Sequence, residues 1–186
     1  MKQNKNKLIN YHDLSEDIRQ EIDNYINSAK KKGINLEFED AALEWFEKSF
    51  DEWIQKKYAA GKKNGRKHFR MDIEIPVRVV ERLIDSDGAE AEEVEFVGKI
   101  LNISRGGFYF LSSEHINPSS IIRVLINLSL VDRNLAGIEA LAMVVRCEKS
   151  KDGGYGIGVM FSSIYDESKK NLDIFIFKNV AYHLSR

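Results

Sequence analysis

The hydrophobic period of this chain changes once, near residue 70, and that change constrains the fold more than any other feature. Before it, apolar residues recur at helical spacing. After it, Ile73, Ile75, Val77 and Val79 alternate with Asp72, Glu74, Pro76 and Arg78, the period of two of a half-buried strand. Further strands are predicted over 94–103, 107–112, 121–130, 138–148 and 155–162. Turn signals separate them: Asp87-Gly88, Gly106-Gly107, Asn117-Pro118 and Asp152-Gly153-Gly154. Six strands with no helix between them predict a mainly β fold, an antiparallel barrel or sandwich. Residues 166–184 return to helical spacing, with Leu172, Ile176 and Val180 on one face and Phe175 and Phe177 alongside. A helix in that position is expected to plug or cross an open end of the β-domain.

The N-terminal third predicts a pair of helices. Over 13–32, Leu14, Ile18, Ile22 and Ile26 fall four apart on one stripe. Acids crowd its start and Lys30 to Lys32 its end, as the helix dipole favours. Asp13 or Ser15 is placed to cap it, and Gly33 to stop it. A second helix over 39–59 carries Leu43, Phe46, Phe50 and Ile54, with Trp53 on that face and Trp45 beside it. Gly61, Asn64 and Gly65 then interrupt the pattern. The chain therefore divides into a helical extension (1–60), a basic linker (61–70) and a β-domain with its C-terminal helix (71–186). A segment of about 60 residues is marginal alone. Its aromatic face needs a cover: the β-domain, a second copy in a homodimer, or a partner protein.

Composition removes several function classes. The chain has 186 residues, with 28 basic and 29 acidic side chains for a net charge of −1. That balance lacks the basic surplus of a general nucleic-acid or membrane-surface binder. No apolar run approaches the ~20 residues that span a bilayer, and the start, MKQNKNKLINYHD, has no apolar h-region. The single cysteine, Cys147, forms no internal disulfide. A cytoplasmic protein is expected. There is no GxxxxGK[ST], HExxH or GxSxG. The four histidines (His12, His68, His115, His183) have no metal-ligand spacing. Neither an enzyme, a metal site nor a cofactor is expected.

Two short elements carry the chemistry instead. The first is Arg66-Lys67-His68-Phe69-Arg70, an RxxxR at the mouth of the first strand. Each guanidinium presents a planar fork of donors that matches phosphate bidentately. Lys62, Lys63 and Lys67 add charge. The second is Asn102-Ile103-Ser104-Arg105-Gly106-Gly107, an [ND]xSxxG at the turn between the second and third strands. Asn102 and Ser104 project to one face of a strand, where an amide and a hydroxyl can read a planar base. From composition, RxxxR is expected by chance about 0.5 times and [ND]xSxxG about 0.13 times in this chain.

Taken together, RxxxR, then [ND]xSxxG some 30 residues later on a strand, then GIGVMF (Gly156 to Phe161) as a closing GxGVxF, resemble the PilZ family of cyclic di-GMP receptors. The resemblance covers about residues 64–184. It implies a six-stranded antiparallel β-barrel with a C-terminal helix, here preceded by the helical pair. It implies that Arg66 and Arg70 hold the phosphates and stack on guanine. Asn102 and Ser104 would bind a guanine or phosphate from the barrel, and Gly107 would allow the turn that aims them. Lys67, Arg105 and Arg146 are additional candidate contacts, by charge at the same end. Gly65 stands where the family often has a basic residue accompanying a stacked ligand pair, which leaves the number of ligands open. Residues 1–60 do not resemble the β-rich N-terminal domain of flagellar-brake members.

On this reading the ligand is cyclic di-GMP and no other cofactor is needed. Binding would reorient the N-terminal helices relative to the barrel and signal to a partner protein. Two alternatives share the sequence: a ligand-blind interaction module of the same fold, and a small barrel that stacks single-stranded nucleic acid on Phe108, Tyr109 and Phe110.

Overall fold

A computed structural model describes residues 9–58, 68–83, 92–151 and 153–184. The chain divides into two compact units, one of residues 1–69 and 173–186, the other of residues 70–172.

The second unit is a closed antiparallel barrel. Its strands are β1 (Met71–Leu83), β2 (Glu92–Ser104), β3 (Gly107–Ser112), β4 (Ile121–Ile126), β5 (Ile138–Lys149) and β6 (Tyr155–Ile164), in the order β1-β2-β3-β6-β5-β4 with β4 pairing back to β1. Closure gives every strand of the barrel a hydrogen-bonded neighbour on both sides over part of its length. Of the two architectures open from periodicity, the barrel is the observed one. Alternate residues fill its interior: Val77 and Val79 from β1, Phe108 and Phe110 from β3, Ala140, Ala142 and Val144 from β5. β4 ends at Ile126, short of the expected 130. There Asn127 caps a 3₁₀ turn (Leu128–Leu130), its Oδ1 accepting the Ser129 N–H at 3.1 Å. The side chain thus offers the backbone an alternative to the sheet ladder.

Bulges interrupt the alternation where the barrel bends. One lies on β2 between Ile100 and Asn102, so Ile100 and Ile103 both point inward although three residues apart. Asn102 and Ser104 follow it and keep their spacing of two.

In the first unit, α1 (Glu16–Lys31) follows a 3₁₀ turn at Tyr11–Asp13, with Ser15 at the N-cap position. Lys32 ends it, and Gly33 follows at φ +79°, a conformation that costs glycine no Cβ strain. The second helical stretch is α2 (Phe38–Trp45), a π-helical turn (Phe46–Phe50) and α3 (Asp51–Tyr58). Trp45, Phe46, Phe50 and Ile54 are buried, and Leu43, expected on that face, is half-buried. The wide turn rotates the aromatic face relative to an unbroken helix.

The C-terminal helix α4 (Asp166–Leu184) differs most from expectation. Its residues 171–177 are all buried, rather than one stripe of them. The division between the units falls inside it, after Leu172. Its start belongs to the barrel unit, where the Ser168 hydroxyl accepts the Glu139 N–H at 3.0 Å. Its remainder belongs to the helical unit, where Phe177 meets Phe46 at 5.3 Å and Trp45 at 6.5 Å between ring centroids, edge to face. The aromatic cover that the N-terminal helices needed is thus supplied by the same chain. Over 171–177 burial extends beyond the apolar stripe to the polar Asn171 and Asp173, which carry no signal in a hydrophobic period.

Candidate functional site

The site is built at one end of the barrel, where the NxSxxG and GxGVxF motifs of the second unit meet and Arg70 leads into β1. The β2–β3 turn is closed by the pair Ser104 and Gly107. Inside it, the Ser104 hydroxyl donates to the Gly107 carbonyl at 3.0 Å and accepts the Gly106 N–H at 3.3 Å. Ser104 is 6% exposed. A hydroxyl has one proton and two lone pairs. Its proton is committed to Gly107, so toward any ligand this group acts only as an acceptor.

The turn is locked onto β6. Phe161 donates its backbone N–H to the Gly106 carbonyl at 3.0 Å, and Gly107 pairs with Met160. A Cβ on Gly107 would overlap the Val159 carbonyl oxygen. Gly107 is therefore required for close approach to β6 as well as for its φ of +154°. The NxSxxG and GxGVxF motifs are thus hydrogen-bonded to one another.

β1 brings Arg70 to the same end. Met71 pairs with Ile103 and Asp72 with Asn102. Arg70 is exposed and precedes Met71, as Ser104 follows Ile103. Arg66 and Lys67 lie outside the described residues. Arg105 is half-buried in the turn itself.

A row of side chains crosses the outer face of the barrel from Asn102. The register pairs Asp72 with Asn102, Asn102 with Tyr109, Tyr109 with Gly158 and Gly158 with Arg146. Phe108 and Phe110 point inward, with 4% and 0% exposure, while Tyr109 faces out. The three-ring stacking platform considered for nucleic acid is therefore reduced to one ring. That ring carries a cation: the Arg146 guanidinium lies 5.1 Å from the Tyr109 centroid. The closing glycines make room for this pair. A Cβ on Gly156 would overlap the Tyr109 hydroxyl, and one on Gly158 would lie 2.9 Å from Arg146 Cγ.

Asn102, Ser104, Gly107, Arg70 and Arg105 thus gather at one barrel end, with Arg146 reaching it over Tyr109. Sequence reading missed Tyr109 as part of this face, because its neighbour Arg146 lies 37 residues away and only the strand order joins them. No group of His, Cys, Asp or Glu among the described residues is arranged to hold a metal ion. No described helix is long and apolar enough to cross a membrane.

The sequence profile of the PilZ domain matches residues 64–178, from before Arg66 into α4. The chain belongs to the PilZ family. Among solved structures, the PilZ barrel is similar to the Bacillus subtilis inhibitor of motility (MotI/DgrA). Identity is 18% over 65% of this chain and 53% of that one, with a TM-score of 0.50. It is also similar to Escherichia coli YcgR in complex with c-di-GMP (15% identity, 62% and 46% coverage, TM-score 0.46). The K. pneumonia MrkH–c-di-GMP complex follows (11%, 62% and 51%, TM-score 0.45). The chain spans about half the length of these proteins. At such identities the likeness is one of fold. No curated protein sequence matches the chain.

Proposed function

We propose that this PilZ protein is a cytoplasmic, non-enzymatic receptor for cyclic di-GMP. The observation that carries the reading is the meeting of two family motifs and the last residue of the third at one barrel end: Arg70 entering β1, the Asn102–Gly107 turn, and the Gly156–Phe161 strand bonded to that turn. Arg66 and Arg70 grip the phosphates and stack on guanine. Asn102 binds from the barrel face with both its donor and its acceptor. Ser104 accepts from a guanine N–H with its remaining lone pair. Gly107 keeps the turn against β6. Lys67, Arg105 and Arg146 add positive charge, and the Tyr109–Arg146 stack gives a planar wall beside Asn102.

The magnitudes favour a composite site. Charge-assisted hydrogen bonds contribute about 1.5–3 kcal/mol each, whereas micromolar affinity takes about 8 kcal/mol beyond immobilisation costs. Two arginines fall short, and the barrel-face contacts supply the difference. Arg70→Ala and Asn102→Ala, each measured by competition against fluorescent cyclic di-GMP, are expected to weaken binding about tenfold or more. Parent affinity in both refutes the assignment of this end of the barrel.

Binding shifts the arrangement of the N-terminal helices relative to the barrel, by as much as the ligand's affinity differs between the two arrangements. The output is a surface offered to a partner protein. A homodimer through the N-terminal helices would use faces other than the buried Trp45–Phe46–Phe50 face. Amide exchange over 38–58 is expected to change when cyclic di-GMP is added. Identical exchange refutes the reorientation and leaves the receptor reading intact.

A further inference from the structure

We propose that Asp51 is a positioning residue for Arg70 of the phosphate-gripping pair, carrying ligand occupancy into the N-terminal helices. This rests on the receptor reading above. Asp51 is the first residue of α3, directly after the π-helical turn. Its Oδ1 accepts the Phe69 backbone N–H at 2.9 Å, and its Oδ2 lies 2.8 Å from His68 Nδ1. The Phe69 ring meets Phe50 edge-on at 6.3 Å between centroids. Phe50, at 1% exposure, is fixed in the core of the helical unit. Two consecutive linker residues are therefore tied to the helix by a backbone hydrogen bond, a side-chain pair and a ring contact.

Those two residues lie inside Arg66-Lys67-His68-Phe69-Arg70, directly before Arg70. Phe69 is the last residue of the helical unit before the barrel, and Arg70 is the first residue of the barrel unit. With His68 and Phe69 held before binding, Arg70 loses less backbone freedom when it engages a ligand. A displacement of Arg70 on binding would act on its neighbour Phe69 and, through the same carboxylate, on α3. π-helical turns recur at functional sites, and this one ends beside the clamp.

Electrostatics opposes this role in sign, which makes it testable. A carboxylate near a phosphate-binding motif repels the ligand, so removing it would tighten binding if charge alone mattered. Positioning predicts the reverse. Asp51→Ala in the full chain is expected to raise the Kd for cyclic di-GMP about tenfold or more. Asp51→Asn keeps an oxygen for the Phe69 N–H and should fall between Asp51→Ala and the parent. His68→Ala, which leaves the carboxylate in place, should weaken binding too. In Asp51→Ala the ligand-induced change in amide exchange over 38–58 should vanish, while ligand protection of the barrel persists at saturation. Without ligand, the Phe69 amide should exchange faster in Asp51→Ala, with the thermal melt showing that the chain still folds. Equal or tighter binding in Asp51→Ala, with the parent binding normally, overturns the positioning role alone. A parent chain that binds no cyclic di-GMP overturns the receptor reading and this role with it.

Discussion

Replacing Ser104 by alanine separates the structural work of the NxSxxG turn from its contact with a ligand. In the parent, the hydroxyl makes two hydrogen bonds inside the turn, to the Gly107 carbonyl and from the Gly106 N–H. Ser104 is 6% exposed, so water does not freely replace it. At about 1 kcal/mol net for each bond, the variant loses about 2 kcal/mol of stability. For a chain of 186 residues, that lowers Tm by about 4–8 °C. Affinity should fall as well. The lost acceptor and the loosened turn together raise the Kd for cyclic di-GMP about tenfold. Differential scanning fluorimetry with and without ligand reads both effects, since a ligand bound to the folded state adds stability as the logarithm of one plus its concentration over Kd. A melt within about 1 °C of the parent would refute the committed hydroxyl. A lowered melt with parent affinity would show that Ser104 shapes the turn without touching the ligand.

Three further outcomes follow from the packing. Gly107→Ala forces a methyl group against the Val159 carbonyl, and should cost about 1–3 kcal/mol, read as a lower urea midpoint at unchanged m. Phe177→Ala empties a fully buried site against Phe46 and Trp45. A loss of about 3–5 kcal/mol is expected in chemical denaturation, and a loss below about 1 kcal/mol would contradict the packing of α4 in the helical unit. Arg146→Ala removes the cation from an outward-facing Tyr109. It should change stability by no more than about 1 kcal/mol while weakening cyclic di-GMP binding. A larger fall in stability with unchanged affinity would make the stack structural.

The barrel strands were legible because half-buried strands alternate, and β1 shows that alternation from Ile75 to Val79 without interruption. The motifs were legible because they are local: Asn102, Ser104 and Gly107 lie within six residues. Contacts between distant segments were not. Tyr109 and Arg146 meet only because β6 lies between β3 and β5, an order that no local pattern encodes. Asp51 reaches His68 and Phe69 across 17 and 18 residues, and nothing in the spacing links them. The hydrogen bonds of Ser104 within its own turn were not legible for a different reason. A serine in a turn can face a ligand or its own backbone, and only geometry shows where its single proton goes. For α4, periodicity marked the apolar stripe but not the burial of the polar Asn171 and Asp173 beside it.

Titration calorimetry of the parent chain with cyclic di-GMP, at two temperatures so that a zero enthalpy at one is not mistaken for no binding, tests the central claim most directly. The account predicts saturable binding at about micromolar Kd, abolished or strongly weakened in Arg70→Ala, with the stoichiometry giving the number of ligands held. Absence of heat at both temperatures, from a chain that melts cooperatively, would contradict it and leave a PilZ barrel that works without this ligand.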